Sequence, residues 1–126
     1  GSRLLPDAPS WPVSKLVHWP TALERAGDKC SLMKEMLQML LASIPGTREA
    51  LQHSLSNHDS QQLLQQIHKL HGACCYTGVP RLKDLAELIE TQLKQGKSLA
   101  ALEPELLELD DVLQALWQES QQWPDW

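Results

Sequence analysis

The chain has 126 residues, a formal net charge of −5 and an apolar fraction of 42%. That is enough for one hydrophobic core but not two, and it is too acidic for a nucleic-acid binder, which relies on a basic stripe. No apolar run approaches the length of a membrane span, and no stretch reads as a secretory leader.

Leu, Gln, Glu, Lys and Ala dominate, Phe is absent, and Val occurs only at Val13, Val17, Val79 and Val112. Strands want the β-branched and aromatic residues this chain lacks, so the predicted class is all-α. Cys74 and Cys75 are adjacent and Cys30 stands alone, which gives no disulfide framework and points to a reducing compartment, the cytoplasm.

In chain order, residues 1–15 read as a Gly1–Ser2 expression scar followed by a flexible linker holding Pro6, Pro9 and Pro12. With Trp126 at the far end, the whole is expected to be a terminal module of a longer protein. A bundle domain is expected over 16–123 and a tail over 124–126. A short helix is predicted near Pro20–Ala26, stopped by Gly27. The next, capped by Asp28 or Ser31, carries Leu32, Met36, Leu37, Met39, Leu40 and Ile44 at spacings of 3 and 4. Pro45–Gly46 is expected to break or sharply kink it, and Thr47–Ser56 to resume it. Asp59 caps a long helix to about Thr77, ended by Gly78. Pro80 opens a helix with Leu82, Leu85, Leu88, Ile89 and Leu93 that closes at Gly96, and Pro104 opens the last, with Leu106, Leu109, Val112, Leu113, Leu116 and Trp117. Short gaps make consecutive helices antiparallel neighbours. The expected architecture is an antiparallel four-helix bundle with one or two short additional N-terminal helices.

The stretch with chemical content is LLQQIHKLHGACCYTG, residues 63–78. At about 100° per residue, Leu63, Ile67, Leu70 and Cys74 form the core seam. His68 stands off that seam, beside Gln61, Leu64, Gly72 and Cys75, with its ring partly exposed. Gly72 costs the helix roughly 1 kcal/mol against alanine. Its missing side chain leaves either a gap where a partner approaches His68 or room for another helix. A phosphoryl carrier needs an exposed imidazole nitrogen, an acceptor fixing the other nitrogen, and nearby donors for the phosphoryl oxygens. Lys69 and His71 are candidates for the last role. His18, His53 and His58 read as surface residues, and a single histidine at a helix edge is by itself an ordinary one.

The tract His68-Lys69-Leu70-His71-Gly72-Ala73, followed by Gly78, resembles the signature of histidine phosphotransfer (HPt) domains. Over residues 19–122 the chain is similar to the C-terminal HPt domain of hybrid sensor kinases of the BarA/GacS type. The resemblance implies that His68 is phosphorylated by a receiver-domain aspartate and passes the group to the aspartate of a response regulator. It implies that Lys69 and His71 lie near the phosphoryl group, and that Leu64, Gly72 and Cys75 face the docked receiver. Many members carry Lys where this chain has His71. Where the family often has a Gln bonding the ring, 22 positions after the histidine, this chain has Glu90, a stronger acceptor.

The partners implied are the receiver domains of a hybrid sensor kinase and of a response regulator, with no nucleic acid and no membrane contact. The domain itself is expected to be a monomer, a carrier and not an enzyme on its own. It is expected to need no cofactor, the receiver supplying magnesium, and its parent kinase is expected to be anchored in the bacterial inner membrane. Two rival readings stand beside this one. His68, His71 and Cys75, at i, i+3 and i+7, give a face that takes zinc or copper, though no fourth ligand is apparent. A plain interaction bundle without chemistry is the other.

Overall fold

The computed structural model describes residues 11–124. Over these the chain forms five helices: α1 Trp19–Arg25, α2 Cys30–Ser56, α3 Ser60–Cys74, α4 Pro80–Lys94 and α5 Glu103–Gln121. α3 packs between α2 and α4, α5 closes the ring against both α4 and α2, and α1 lies on α2. The result is an all-α, antiparallel four-helix bundle preceded by one short helix.

Local chemistry explains the boundaries. The Asp59 carboxylate accepts from the Gln62 backbone N–H at 3.0 Å, and Pro80 and Pro104 occupy first-turn positions where a missing N–H costs nothing. His18 caps α1 by accepting from the Thr21 N–H. Gly27, Gly78 and Gly96 follow the ends of α1, α3 and α4 with positive φ.

Two expectations are corrected. α2 does not break at Pro45–Gly46 but runs through as one helix of 27 residues. A mid-helix proline costs about 3 kcal/mol, yet Leu37, Leu40, Leu41 and Ile44 before it and Leu51 after it are buried in the same core. Burying each of several such side chains contributes about 1.5–3 kcal/mol, enough to hold both halves on the bundle. The core stripe is also narrower than the apolar pattern. Leu32, Met39 and Leu88 are exposed, and Met33 and Leu41 take the inward positions on α2.

On α3 the buried side chains are Leu63, Ile67, Leu70 and Cys74, the expected seam. Residues 11–15, read from the sequence as the end of a linker, lie against the bundle. The Trp11 ring stacks on Trp19 at 5.7 Å, Trp19 Nε1 donates to the Pro12 carbonyl at 2.8 Å, and the Ser14 hydroxyl bonds the Glu119 carboxylate. Gly1–Ser2, Pro6, Pro9 and Trp126 lie outside the described residues.

Candidate functional site

The α3 seam faces inward, which puts His68 at its edge with a side chain 72% exposed. Across from it on α4, Ala86 and Glu90 are buried one turn apart, and exposed Lys94 follows one turn later at the helix end. Glu90 is one of three buried polar residues among those described. A buried carboxylate is costly unless hydrogen-bonded, and this one is. Its Oε2 accepts from His68 Nδ1 at 2.5 Å and from Lys94 Nζ at 3.1 Å, and its Oε1 accepts from His71 Nδ1 at 2.8 Å.

Burial by itself would push the Glu90 carboxyl up. Hydrogen bonds from His68, His71 and Lys94, with the charge of Lys94, outweigh it and hold the group down at about 2. Glu90 is therefore an anion throughout the neutral range. Because Nδ1 of His68 faces that anion, Nδ1 is the donating nitrogen, and the lone pair of the neutral ring is on Nε2. Nε2 makes no hydrogen bond to a described residue, so the ring has a fixed orientation and an exposed lone pair.

A depressed carboxyl adds stability that is complete above its ordinary value, about 4.5, and is lost as pH falls toward about 2. Wild-type protein is therefore expected to lose more of its thermal midpoint between pH 5 and pH 2 than a Glu90→Gln variant. Melting curves at several pH values check this, and parallel loss in both proteins would contradict it.

The remaining sequence candidates fall on two sides of His68. His71, 21% exposed, turns to α4, and its Nε2 is 3.7 Å from Glu87 Oε2. Lys69 is exposed and borders a groove between α2 and α3, on the other side, and forms no ion pair among the described residues. Leu64 is half-buried against the core, Cys75 is half-buried, and Gly72 is exposed. A Cβ added at Gly72 meets nothing within 4 Å, so no neighbouring helix needs that glycine.

Lys94 was not singled out in the sequence. The readable signal was its position four residues after Glu90 on one helix. Among the described residues, no three His, Cys, Asp or Glu side chains are grouped to hold a metal. Burial pushes the Cys74 thiol up to about 12, and the neighbouring Cys75 adds to the shift, so Cys74 is a core residue without thiolate chemistry.

The helical bundle thus presents one exposed imidazole, oriented from behind by a buried carboxylate. The Hpt domain family matches residues 35–119, two thirds of the chain, and the chain belongs to it. Domains of this family are phosphotransfer carriers of two-component signalling.

The chain is 47% identical over 95 residues to the signal transduction histidine-protein kinase BarA of Shigella flexneri, covering 75% of this chain and 10% of that protein. It is 45% identical over 74 residues to the sensor protein GacS of Pseudomonas syringae pv. syringae, covering 59% of this chain and 8% of that one. The chain thus spans about a tenth of the length of these relatives. A solved HPt domain from a sensor hybrid histidine kinase of Shewanella superposes with a TM-score of 0.80 at 43% identity, covering 84% of this chain and 91% of that one.

Proposed function

We propose that the domain carries a phosphoryl group on His68 Nε2, taking it from the aspartyl phosphate of one receiver domain and yielding it to the aspartate of a second. The observation that carries this reading is the 2.5 Å contact of His68 Nδ1 with buried Glu90, which leaves Nε2 free on a ring 72% exposed.

In the first step the Nε2 lone pair forms the N–P bond as the acyl O–P bond breaks, and the electron pair leaves with the aspartate carboxylate. The ring, still protonated at Nδ1, becomes cationic, and the fixed Glu90 anion faces that charge as it develops. The second step is the reverse reaction with another aspartate. Magnesium and the acidic residues belong to the receiver, since this chain carries no glycine-rich nucleotide loop. The domain is then a carrier and substrate and not itself a kinase.

The likeness to BarA and GacS supports reading it as a module of a hybrid sensor kinase, and in this proposal the module is cytoplasmic and the kinase is anchored in the bacterial inner membrane. Its partners are the receiver of that kinase and the receiver of a response regulator. Among the described residues no helix is long and apolar enough to cross a membrane. On the side of α3 turned to α2, a groove of about 620 Å³ is bordered by Lys69 and by Met39 and Tyr76, 67% and 60% exposed. An exposed apolar patch on the α2 side of the helix that carries His68 supports docking of a partner along α3.

Incubation with a phosphorylated receiver tests the reading: acid-labile, base-stable label is expected on this chain, and its absence would reject the carrier role. Gly72 tests the docking face. Gly72→Ala is expected to raise stability by up to ~1 kcal/mol through helix propensity. Gly72→Gln, which fills open space one turn from His68, is expected to slow transfer from a receiver tenfold or more, about 1.4 kcal/mol. Unchanged transfer in Gly72→Gln would mean that the partner does not approach this surface.

A further inference from the structure

Glu90 has two oxygens and three donors upon them: His68 and Lys94 on Oε2, His71 on Oε1. A carboxylate facing a single imidazole favours the cationic ring. A cationic ring has no lone pair to attack phosphorus. His68 alone with Glu90 would thus be biased to its unreactive form, and the other two donors oppose that bias by drawing on the same negative charge.

Lys94 does so at all pH values near neutrality. His71 does so through the Nδ1–H it donates, and more strongly when its second nitrogen, 3.7 Å from Glu87, carries a proton. A proton taken up there places a cationic His71 between Glu87 and Glu90, two carboxylates of α4. Among the described residues, His71 pairs with Glu87 and Glu90 of α4, Lys94 shares Glu90 with it, and on its own stretch of chain His68 lies one turn earlier and Cys75 one turn later. α2 lies on the opposite side of α3, along Lys69.

We propose that His71 is a positioning residue that acts through Glu90 rather than on the phosphoryl group: it keeps His68 neutral by competing for the shared carboxylate and by taking up a proton between Glu87 and Glu90. Its geometry fits no direct role. Nδ1 is committed to Glu90 and the ring is 21% exposed, whereas the attacking nitrogen of His68 faces solvent. The consequence is a phosphoryl acceptor that stays reactive at lower pH than a histidine–carboxylate pair alone would.

The inference rests on the carrier reading of His68 but is read out apart from it, by imidazole NMR titration between pH 5 and 8, where histidines change charge. In the wild type the two rings share one carboxylate, so each curve is expected to be shallower than a one-proton titration. In His71→Asn, whose amide still donates to Oε1, the His68 curve is expected to steepen and move to higher pH by about half a unit or more. His71→Gln is carried alongside because the site is partly buried, and Glu90→Gln is expected to uncouple the rings with His71 in place. The acid limb of phosphoryl acceptance is expected to move with the His68 curve. A His68 titration unchanged in both His71 variants would overturn the proposal. Failure of transfer at every pH would reject the carrier reading, while the titration would still decide this one.

Discussion

His68→Gln is expected to abolish phosphoryl acceptance from a receiver, to the background of the assay, while leaving the bundle folded. The substitution removes Nε2 of His68, the atom that forms the N–P bond in the proposed transfer, and a glutamine amide is not a nucleophile that replaces it. Stability is expected to change by no more than about 0.5 kcal/mol, because the side chain is 72% exposed. Glu90 is not orphaned either, since His71 and Lys94 still donate to it and a glutamine amide is able to do so. The measurement pairs acid-labile labelling with a thermal melt. Label retained in His68→Gln, with its loss in His71→Ala, would exchange the roles of the two histidines.

Gly78→Ala is expected to produce the largest loss of stability of any small substitution near the site. Gly78 has φ +67°, and an added Cβ would lie 2.6 Å from the Ala22 Cβ and backbone nitrogen. Its carbonyl accepts from the His18 N–H at 2.8 Å, which ties α1 to the α3–α4 turn. Alanine in this conformation costs about 1–2 kcal/mol by itself. Relieving the clash then lifts α1, which contributes buried Trp19 and Ala22. The sum is about 3 kcal/mol, or roughly 10 °C in thermal midpoint for a domain of this size. Gly72→Ala, six residues earlier on the same tract, is expected to move the midpoint slightly upward. A Gly78→Ala protein melting with the wild type would show that α1 is not seated as described.

These two glycines illustrate what a sequence motif conveys and what it leaves open. Both belong to the signature following His68, and the linear pattern, which reads Gly72 as mid-helix and Gly78 as a helix stop, does not say what either one faces. Gly72 faces open space and Gly78 faces Ala22, 56 positions away in the chain. A steric demand set by so distant a residue has no local trace.

The features the sequence determined by itself are those carried by interactions within a few residues. Proline at helix starts, glycine at helix ends and the Asp59 cap act through backbone groups one turn away, and they located the starts of α1, α3, α4 and α5 and the ends of α1, α3 and α4 to within a few positions. The 3.6-residue period placed Leu63, Ile67, Leu70 and Cys74 inward and His68 at the edge, because side-chain direction along one helix follows from spacing alone.

Tertiary structure decided the rest. Pro45 stays within α2 because core contacts on both sides outweigh a local penalty, a comparison that local propensity does not contain. Leu32, Met39 and Leu88 are exposed because each helix meets its neighbours along a strip narrower than its apolar face. The joint hold of His68, His71 and Lys94 on Glu90 exists only because α3 and α4 pack side by side in one register, and the strength of a buried carboxylate's contacts depends on that register to within an ångström.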